Sequence, residues 1–265
     1  MDRSRRNFCL GAGAAAIGAA TLAPAPAAAS DTGQARKGGD PAHRWGMVVD
    51  VRKCVGCQAC TVSCIMENAV PDNSFRTIVS TYEVTEQGAS GTYMLPRLCN
   101  HCEDPPCIPV CPTGATFQRR DGIVVVDNTV CVGCAYCVQA CPYDARFINH
   151  DTQTADKCTF CVHRVDAGLL PACVETCVGG ARIFGDLNDP HSTVSVLVRG
   201  PASDPAFDRA PDRVPKVLKP EQGTQPRVFY IGLQPAFAGK VDGTPTLWRP
   251  SDVPHARSHA DKESA

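Results

Sequence analysis

The chain has 265 residues and a formal net charge of −1, which leaves room for one or two domains with a modest core. A charge this close to balance gives no electrostatic ground for a nucleic-acid partner. Cysteine is the unusual component: seventeen is an odd number for a disulfide framework, and such frameworks belong to much shorter secreted chains, so spacing must decide what the cysteines do.

Ser4-Arg5-Arg6-Asn7-Phe8-Cys9-Leu10 resembles a twin-arginine export motif. A mildly apolar stretch of Ala and Gly follows over 10–22, and Ala27-Ala28-Ala29 offers an A-x-A cleavage site, so 1–29 reads as a signal peptide, cleaved or retained as a tether. The apolar run falls short of the roughly 20 residues that a membrane span requires. The expected product is periplasmic, exported already folded, and held at a membrane only through partners. Residues 30–45 read as a polar linker. With Cys9 inside the signal, sixteen cysteines remain, and they fall into four groups.

The first group is Cys54, Cys57, Cys60 and Cys64, spaced C-x2-C-x2-C-x3-C. The second is Cys99, Cys102, Cys107 and Cys111, with four residues before its third member. The third, Cys131, Cys134, Cys137 and Cys141, repeats the first spacing. The fourth is Cys158, Cys161, Cys173 and Cys177, with eleven residues before its third member. Val49-Asp50 precedes Cys54 as Val126-Asp127 precedes Cys131, and each pair closes a β-branched run (47–51 and 123–126) that reads as a strand. Three groups end on an echo: Cys111-Pro112-Thr113-Gly114-Ala115, Cys141-Pro142-Tyr143-Asp144-Ala145-Arg146 and Cys177-Val178-Gly179-Gly180-Ala181-Arg182. Asp121-Gly122 marks a hairpin turn after a strand at 115–118. The predicted unit is strand, cysteine loop, short helix, turn and strand, used four times. Beyond 188 the cysteines stop; 200–226 is rich in Pro, Asp and Arg, 227–233 is one late strand, and the end is polar.

A 4Fe–4S cubane takes one thiolate on each iron. C-x2-C-x2-C-x3-C-P is the run of bacterial ferredoxins, in which the fourth cysteine serves the other cluster. The x3 spacing sets that thiol about one helical turn beyond the third, facing away, and Pro112 and Pro142 disfavour helix at Cys111 and Cys141. Gly56 and Gly133 lie between the first two ligands, where a tight loop favours positive φ and lets N–H groups face sulfur. The alternative is structural zinc, which wants two separated pairs around one ion; only the fourth group has that spacing. His101 and His163 stand beside cysteines and read as local hydrogen bonders. No nucleophile elbow, phosphate loop or dinucleotide fingerprint is present, so no catalytic residue is expected and the chain should pass electrons without bond chemistry.

The four-group order and the export motif together resemble the electron-transfer subunits of the complex iron–sulfur molybdoenzyme family, which serve reductases of dimethyl sulfoxide, polysulfide, nitrate and tetrathionate. The resemblance covers about 45–192. The wording between the cysteines, as in 121–128, 141–150 and 168–175, is most similar to the tetrathionate-reducing branch; polysulfide, thiosulfate and nitrite-linked complexes are the alternatives. It implies an α+β fold of two nested ferredoxin-like 4Fe–4S domains: an outer one from 46–94 plus 151–190, an inner one at 95–150, then a largely irregular C-terminal extension at 191–265. It also implies four 4Fe–4S clusters and two partners, a molybdopterin catalytic subunit and a quinol-oxidising integral membrane subunit. By the same resemblance Cys54, Cys57 and Cys60 share a cluster with Cys177; Cys158, Cys161 and Cys173 with Cys64; Cys99, Cys102 and Cys107 with Cys141; and Cys131, Cys134 and Cys137 with Cys111. In the nitrate branch a tryptophan replaces the second cysteine of the third group and the cluster is 3Fe–4S; Cys134 stands there in this chain, implying a full cubane. The implied order puts the Cys54 cluster toward molybdenum, the Cys99 cluster nearest the quinol, and the Cys131 cluster at the handover between domains.

Overall fold

The computed structural model describes residues 38–86, 89–200 and 213–233. The expected signal peptide and most of the linker lie outside the described residues, as do 201–212 and 234–265 of the extension.

The first strand, β1 (Trp45–Asp50), is the centre of a three-stranded sheet. Its alternation is two-sided. Met47 and Val49 join the main core, while Val48 turns to a smaller one with Leu187, Val194 and Ile231. Asp50 ends the strand: its carboxylate accepts from the Arg52 N–H at 3.2 Å and pairs with the Arg52 guanidinium at 2.9 Å, starting the turn into Cys54. Asp127 does the same before Cys131, accepting from the Thr129 N–H at 2.9 Å. The repeated Val-Asp therefore marks the point at which a strand turns into a cysteine loop.

After the first loop, helix α1 (Ala59–Asn68) carries Cys60 and Cys64 on its buried side. Strands β2 (Thr77–Glu86) and β3 (Ala89–Leu98) form an antiparallel hairpin, and the Gln58 amide donates to the Val79 carbonyl at 2.8 Å, holding the first loop against it. Strands β4 (Thr116–Gln118) and β5 (Val124–Val126) form the predicted hairpin around Asp121-Gly122; Gly122 has φ +85° and Asp121 accepts from the Ile123 N–H at 3.1 Å. A single-turn helix, α2 (Tyr136–Gln139), follows the third group. Strands β6 (Arg146–Asn149) and β7 (Thr154–Lys157) pair antiparallel, with Arg146 directly opposite Lys157. Helices α3 (Val162–Asp166) and α4 (Ala172–Glu175) flank the long gap in the fourth group.

Strand β8 (Arg182–Asp186) returns to β1, and α5 (Thr193–Arg199) covers the smaller core. The last strand, β9 (Val228–Ile231), lies parallel to β1 on its other edge. Among the described residues no helix is long and apolar enough to cross a membrane.

Two expectations change. The unit does not repeat four times in full, because turns take the place of a helix over 106–110 of the second group, where Pro109 removes a backbone donor. Nor is the extension simply irregular. Besides α5 and β9, it sends Arg227 into the interior, where Nε donates to the His101 carbonyl at 2.7 Å and Nη2 bonds the Gly122 carbonyl. The Arg227 N–H donates to the Asn100 carbonyl at 2.9 Å, and the Tyr230 hydroxyl to the Pro96 carbonyl at 3.0 Å. These bonds tie the extension to the second cysteine loop.

Arg227→Met should therefore destabilise the protein by about 2–4 kcal/mol, because buried carbonyls lose a charged donor. A lowered midpoint in denaturant unfolding, against an unchanged midpoint for a change at exposed Glu221, would be the expected result.

Candidate functional site

All sixteen described cysteines are unbridged. Those from different groups are brought together. Cys54, Cys57 and Cys60 line a void with Cys177; it holds about 340 Å³ of empty space, solvent mouth included. Cys99, Cys102 and Cys107 line a second void, of about 310 Å³, with Cys141. The Asn68 amide lies 3.6 Å from both the Cys64 and the Cys161 sulfur, and Cys173 and Cys161, with Arg76 and Arg182, stand near enough to Cys64 to act on its charge. Thus three fourth-position cysteines, Cys177, Cys141 and Cys64, sit with a partner group. Cys131 and Cys137 pack together around Val124 and Ala155. The Cys111 sulfur receives the Thr116 N–H at 3.5 Å, and among the described residues no hydrogen bond joins it to Cys131, Cys134 or Cys137. Each set takes the name of its first cysteine: the Cys54, Cys158, Cys99 and Cys131 quartets.

The loops explain the spacing. Two residues after its first cysteine, each group has a residue at positive φ: Gly56 at +71°, His101 at +43°, Gly133 at +66° and Phe160 at +53°. That conformation wraps the loop tightly. A Cβ at Gly133 would run into the Gln153 carbonyl oxygen, and one at Gly56 would lie 2.8 Å from the Met94 sulfur. In the second and fourth groups the position is filled by larger rings, and these stack on each other, with His101 and Phe160 centroids 3.7 Å apart. Backbone N–H groups of Ala155, Phe160 and Ala181 approach the sulfurs of Cys131, Cys158 and Cys177 at 3.3, 3.4 and 3.2 Å.

His101 accepts from the Val124 N–H at 3.1 Å through Nδ1, and His163 bonds Glu67 at 2.8 Å, so both are hydrogen bonders. Burial, with Lys157, Arg227 and Arg146 nearby, pushes His101 well below the usual histidine range, and its ring is neutral. Burial also pushes the thiols up, Cys64 and Cys102 to about 12 and Cys107 to about 11, so in the bare chain they hold their protons until a metal displaces them. Cys111 runs the other way: burial would raise it, but the Thr116 and Thr113 donors bring it below the usual thiol value.

The donor set fits iron–sulfur clusters on several counts. The quartets surround voids rather than a point, and among the described residues no three His, Cys, Asp or Glu side chains converge closely enough for a single ion. Asn100, in the wall of the Cys99 void, has both amide atoms buried without a partner in the chain. Three cations lie buried with only neutral or sulfur partners. Arg182 reaches the Thr77 hydroxyl at 2.8 Å and the Cys173 sulfur at 3.8 Å. Arg146 reaches the Thr116 hydroxyl at 3.1 Å and the Cys107 sulfur at 3.0 Å. Lys157 donates to the Val124 carbonyl and, at 2.8 Å, to the Cys158 carbonyl. Like charges facing across a ladder, as Arg146 and Lys157 do, are unfavourable without an anion between them. Sequence reading missed these residues; the arginine shared by the echoes after the third and fourth groups was the available signal.

The order of the quartets differs from expectation. Lys157 Nζ bonds both the Cys158 carbonyl and the carbonyl of Val124, which lines the Cys99 void, and His101 of the second loop stacks on Phe160 of the fourth. The Cys99 quartet, not the Cys131 quartet, therefore abuts the Cys158 quartet. Every member of the Cys158 quartet is buried, whereas Cys57 and Cys134 are exposed.

Two family profiles, each described as a 4Fe-4S dicluster domain, match residues 90–187 and 53–115. A tetrathionate reductase subunit of Salmonella typhimurium is 56% identical over 253 residues, covering 94% of this chain and 97% of that protein. The corresponding tetrathionate reductase subunit of Archaeoglobus fulgidus is 39% identical, covering 72% and 83%. The arsenate respiratory reductase iron–sulfur subunit of a Shewanella species is 37% identical, covering 71% and 96%. The dicluster match and the cysteine geometry agree on 4Fe–4S binding.

Gly133→Ala should abolish one site, since it combines a strained φ with a collision against backbone. Iron and acid-labile sulfide should both fall, while the three quartets that Gly133 does not serve stay loaded. Gly91→Ala, at ordinary backbone angles and with its nearest atom 3.6 Å from the new Cβ, should leave both unchanged.

Proposed function

The chain belongs to the family of 4Fe–4S reductase subunits that includes those of the tetrathionate reductases, and from that premise we propose that it is the electron-transfer subunit of a tetrathionate reductase. Its partners would be a quinol-oxidising membrane subunit and a molybdopterin catalytic subunit. Four 4Fe–4S clusters would be held by the four quartets, with Cys111 completing the Cys131 set. When bound, such clusters supply one-electron redox centres and no bond-making chemistry.

The observation that carries this reading is the order of the quartets and the exposure of their ends. Arg182 lines the Cys54 void and reaches the Cys173 sulfur, and Lys157 bonds the Cys158 carbonyl and that of Val124 in the wall of the Cys99 void. Cys107, which Arg146 reaches, packs in one cluster with Cys137. The exposed cysteines, Cys57 and Cys134, belong to the two outermost quartets, where partner subunits have access. We assign the Cys54 end to the catalytic subunit and the Cys131 end to the membrane subunit. The side chains do the work of a wire: they hold redox centres in line, keep water from the inner two, and expose the outer two.

The nested arrangement is part of the same proposal. Strand β1 pairs with β8 across the whole inner segment, which supports an outer domain of 46–94 and 151–190 around an inner one of 95–150. Since β6 pairs with β7, the inner unit is better extended through Lys157. The twin-arginine motif at Arg5-Arg6 supports export in the folded, loaded state to the periplasm, with membrane contact through the partner.

Cys134→Ser should slow quinol-dependent tetrathionate reduction while sparing reduction driven by a small donor that reaches the catalytic subunit directly. Equal loss of both, in a complex that still assembles, would overturn the assignment of this end. Replacing Arg5 and Arg6 by Lys should leave the chain, iron intact, in the cytoplasm; periplasmic recovery of the double variant would refute twin-arginine export.

A further inference from the structure

We propose that Arg182, Lys157 and Arg146 are three built-in positive charges, one at each junction between successive quartets, and that each raises the reduction potentials of the two clusters beside it. The inference rests on the reading of the quartets as cluster sites.

Their placement follows the order of the quartets. Arg182 lies in the wall of the Cys54 void and reaches the Cys173 sulfur; its electrostatic neighbours include Cys60 from one quartet and Cys173 and Cys158 from the next. Lys157 bonds the Cys158 carbonyl on one side and, on the other, the carbonyl of Val124 in the wall of the Cys99 void. Arg146 lies in the wall of the Cys99 void, reaches the Cys107 sulfur, and has Cys137 of the last quartet as a further neighbour. All three side chains are buried, at 3%, 1% and 4% exposure.

The two arginines are equivalent by sequence, each five residues after the last cysteine of its group. They are also equivalent by contact: each pairs a threonine hydroxyl with the third cysteine of a group, Thr77 with Cys173 and Thr116 with Cys107. Lys157 differs in kind. Its ammonium bonds only carbonyl oxygens, so its effect on neighbouring sulfur is by charge alone.

Carbonyls, hydroxyls and sulfurs do not neutralise a buried cation, and such a charge is strongly unfavourable without an anion. Four thiolates around a cluster supply that anion. Reducing a cluster adds one electron and changes no bond, so a fixed positive charge nearby favours the reduced state. In a poorly polarisable interior that influence is weakly screened. Because Coulomb energy falls with separation, a cation at a junction acts most strongly on the two quartets beside it.

The test is a potentiometric titration of the purified complex followed by electron paramagnetic resonance. Wild type would be compared with Arg182→Met, Lys157→Met and Arg146→Met, with iron and labile sulfide measured in each. Each variant should lower two of the four midpoint potentials. The pair moved by Arg182→Met should share no member with the pair moved by Arg146→Met, and Lys157→Met should move one from each. The charge-keeping changes Arg182→Lys, Lys157→Arg and Arg146→Lys should stay close to wild type. Full iron content with unmoved potentials, or one uniform shift of all four, would overturn the proposal. If a methionine variant fails to load iron, its charge-keeping counterpart decides: restored loading supports a requirement for charge, and failure to restore it overturns that requirement. A wild-type complex without iron would instead defeat the underlying cluster reading.

Discussion

The structure depends on one constraint: a fourth cysteine is carried away from the first three of its group to the sulfurs of another. In the first, third and fourth groups the chain turns the fourth sulfur away from the first three. Cys64 leaves the first loop one helical turn beyond Cys60 and arrives beside Cys161 and Cys173. Cys177 and Cys141 make the return journeys to the first and second loops. Each exchange couples distant parts of the chain, so the core and the redox sites form together. With few aromatic residues, the fold relies on cysteine loops for much of what a larger apolar core would supply.

That constraint explains the surrounding chemistry. Exchanged sulfurs bring two quartets close, and close quartets concentrate negative charge in the interior. Buried arginine and lysine balance that charge without carboxylates, which would compete for iron and add to the repulsion. The same crowding accounts for the stacked His101 and Phe160 rings, which occupy equivalent loop positions and face each other where the Cys99 and Cys158 quartets meet. A neutral histidine with a buried, unpartnered Nε2 fits a place where positive charge is already abundant.

Much of this was legible from spacing. The Val-Asp pairs marked the ends of strands, Asp121-Gly122 marked a hairpin, and the glycines between the ligands marked positive φ, because each is a local rule written in two or three residues. What escaped was non-local. The β2–β3 hairpin carries no cysteine and announced nothing about the site. The helix expected in the second group is absent, since Pro109 removes a backbone donor there. Arg146, Lys157 and Arg182 look like surface residues in a sequence, and only their burial reveals a role. The order of the quartets also depends on which loops touch, a fact about packing that no cysteine interval contains. Arg227 illustrates the same point, lying in a stretch whose composition suggests an extended tail while its side chain reaches the second cysteine loop.

The central claim is that the fourth cysteines are exchanged between groups and that the resulting sites stand in a single file. The most direct measurement is an electron-density map of the loaded complex, with iron located by its anomalous scattering. The account predicts four iron centres in line, with Cys177, Cys64, Cys141 and Cys111 each bound to the cluster of another group, and the Cys158 and Cys99 centres in the middle. A centre wrapped by the four consecutive cysteines of one group, or the Cys131 centre lying between the Cys158 and Cys99 centres, would contradict it.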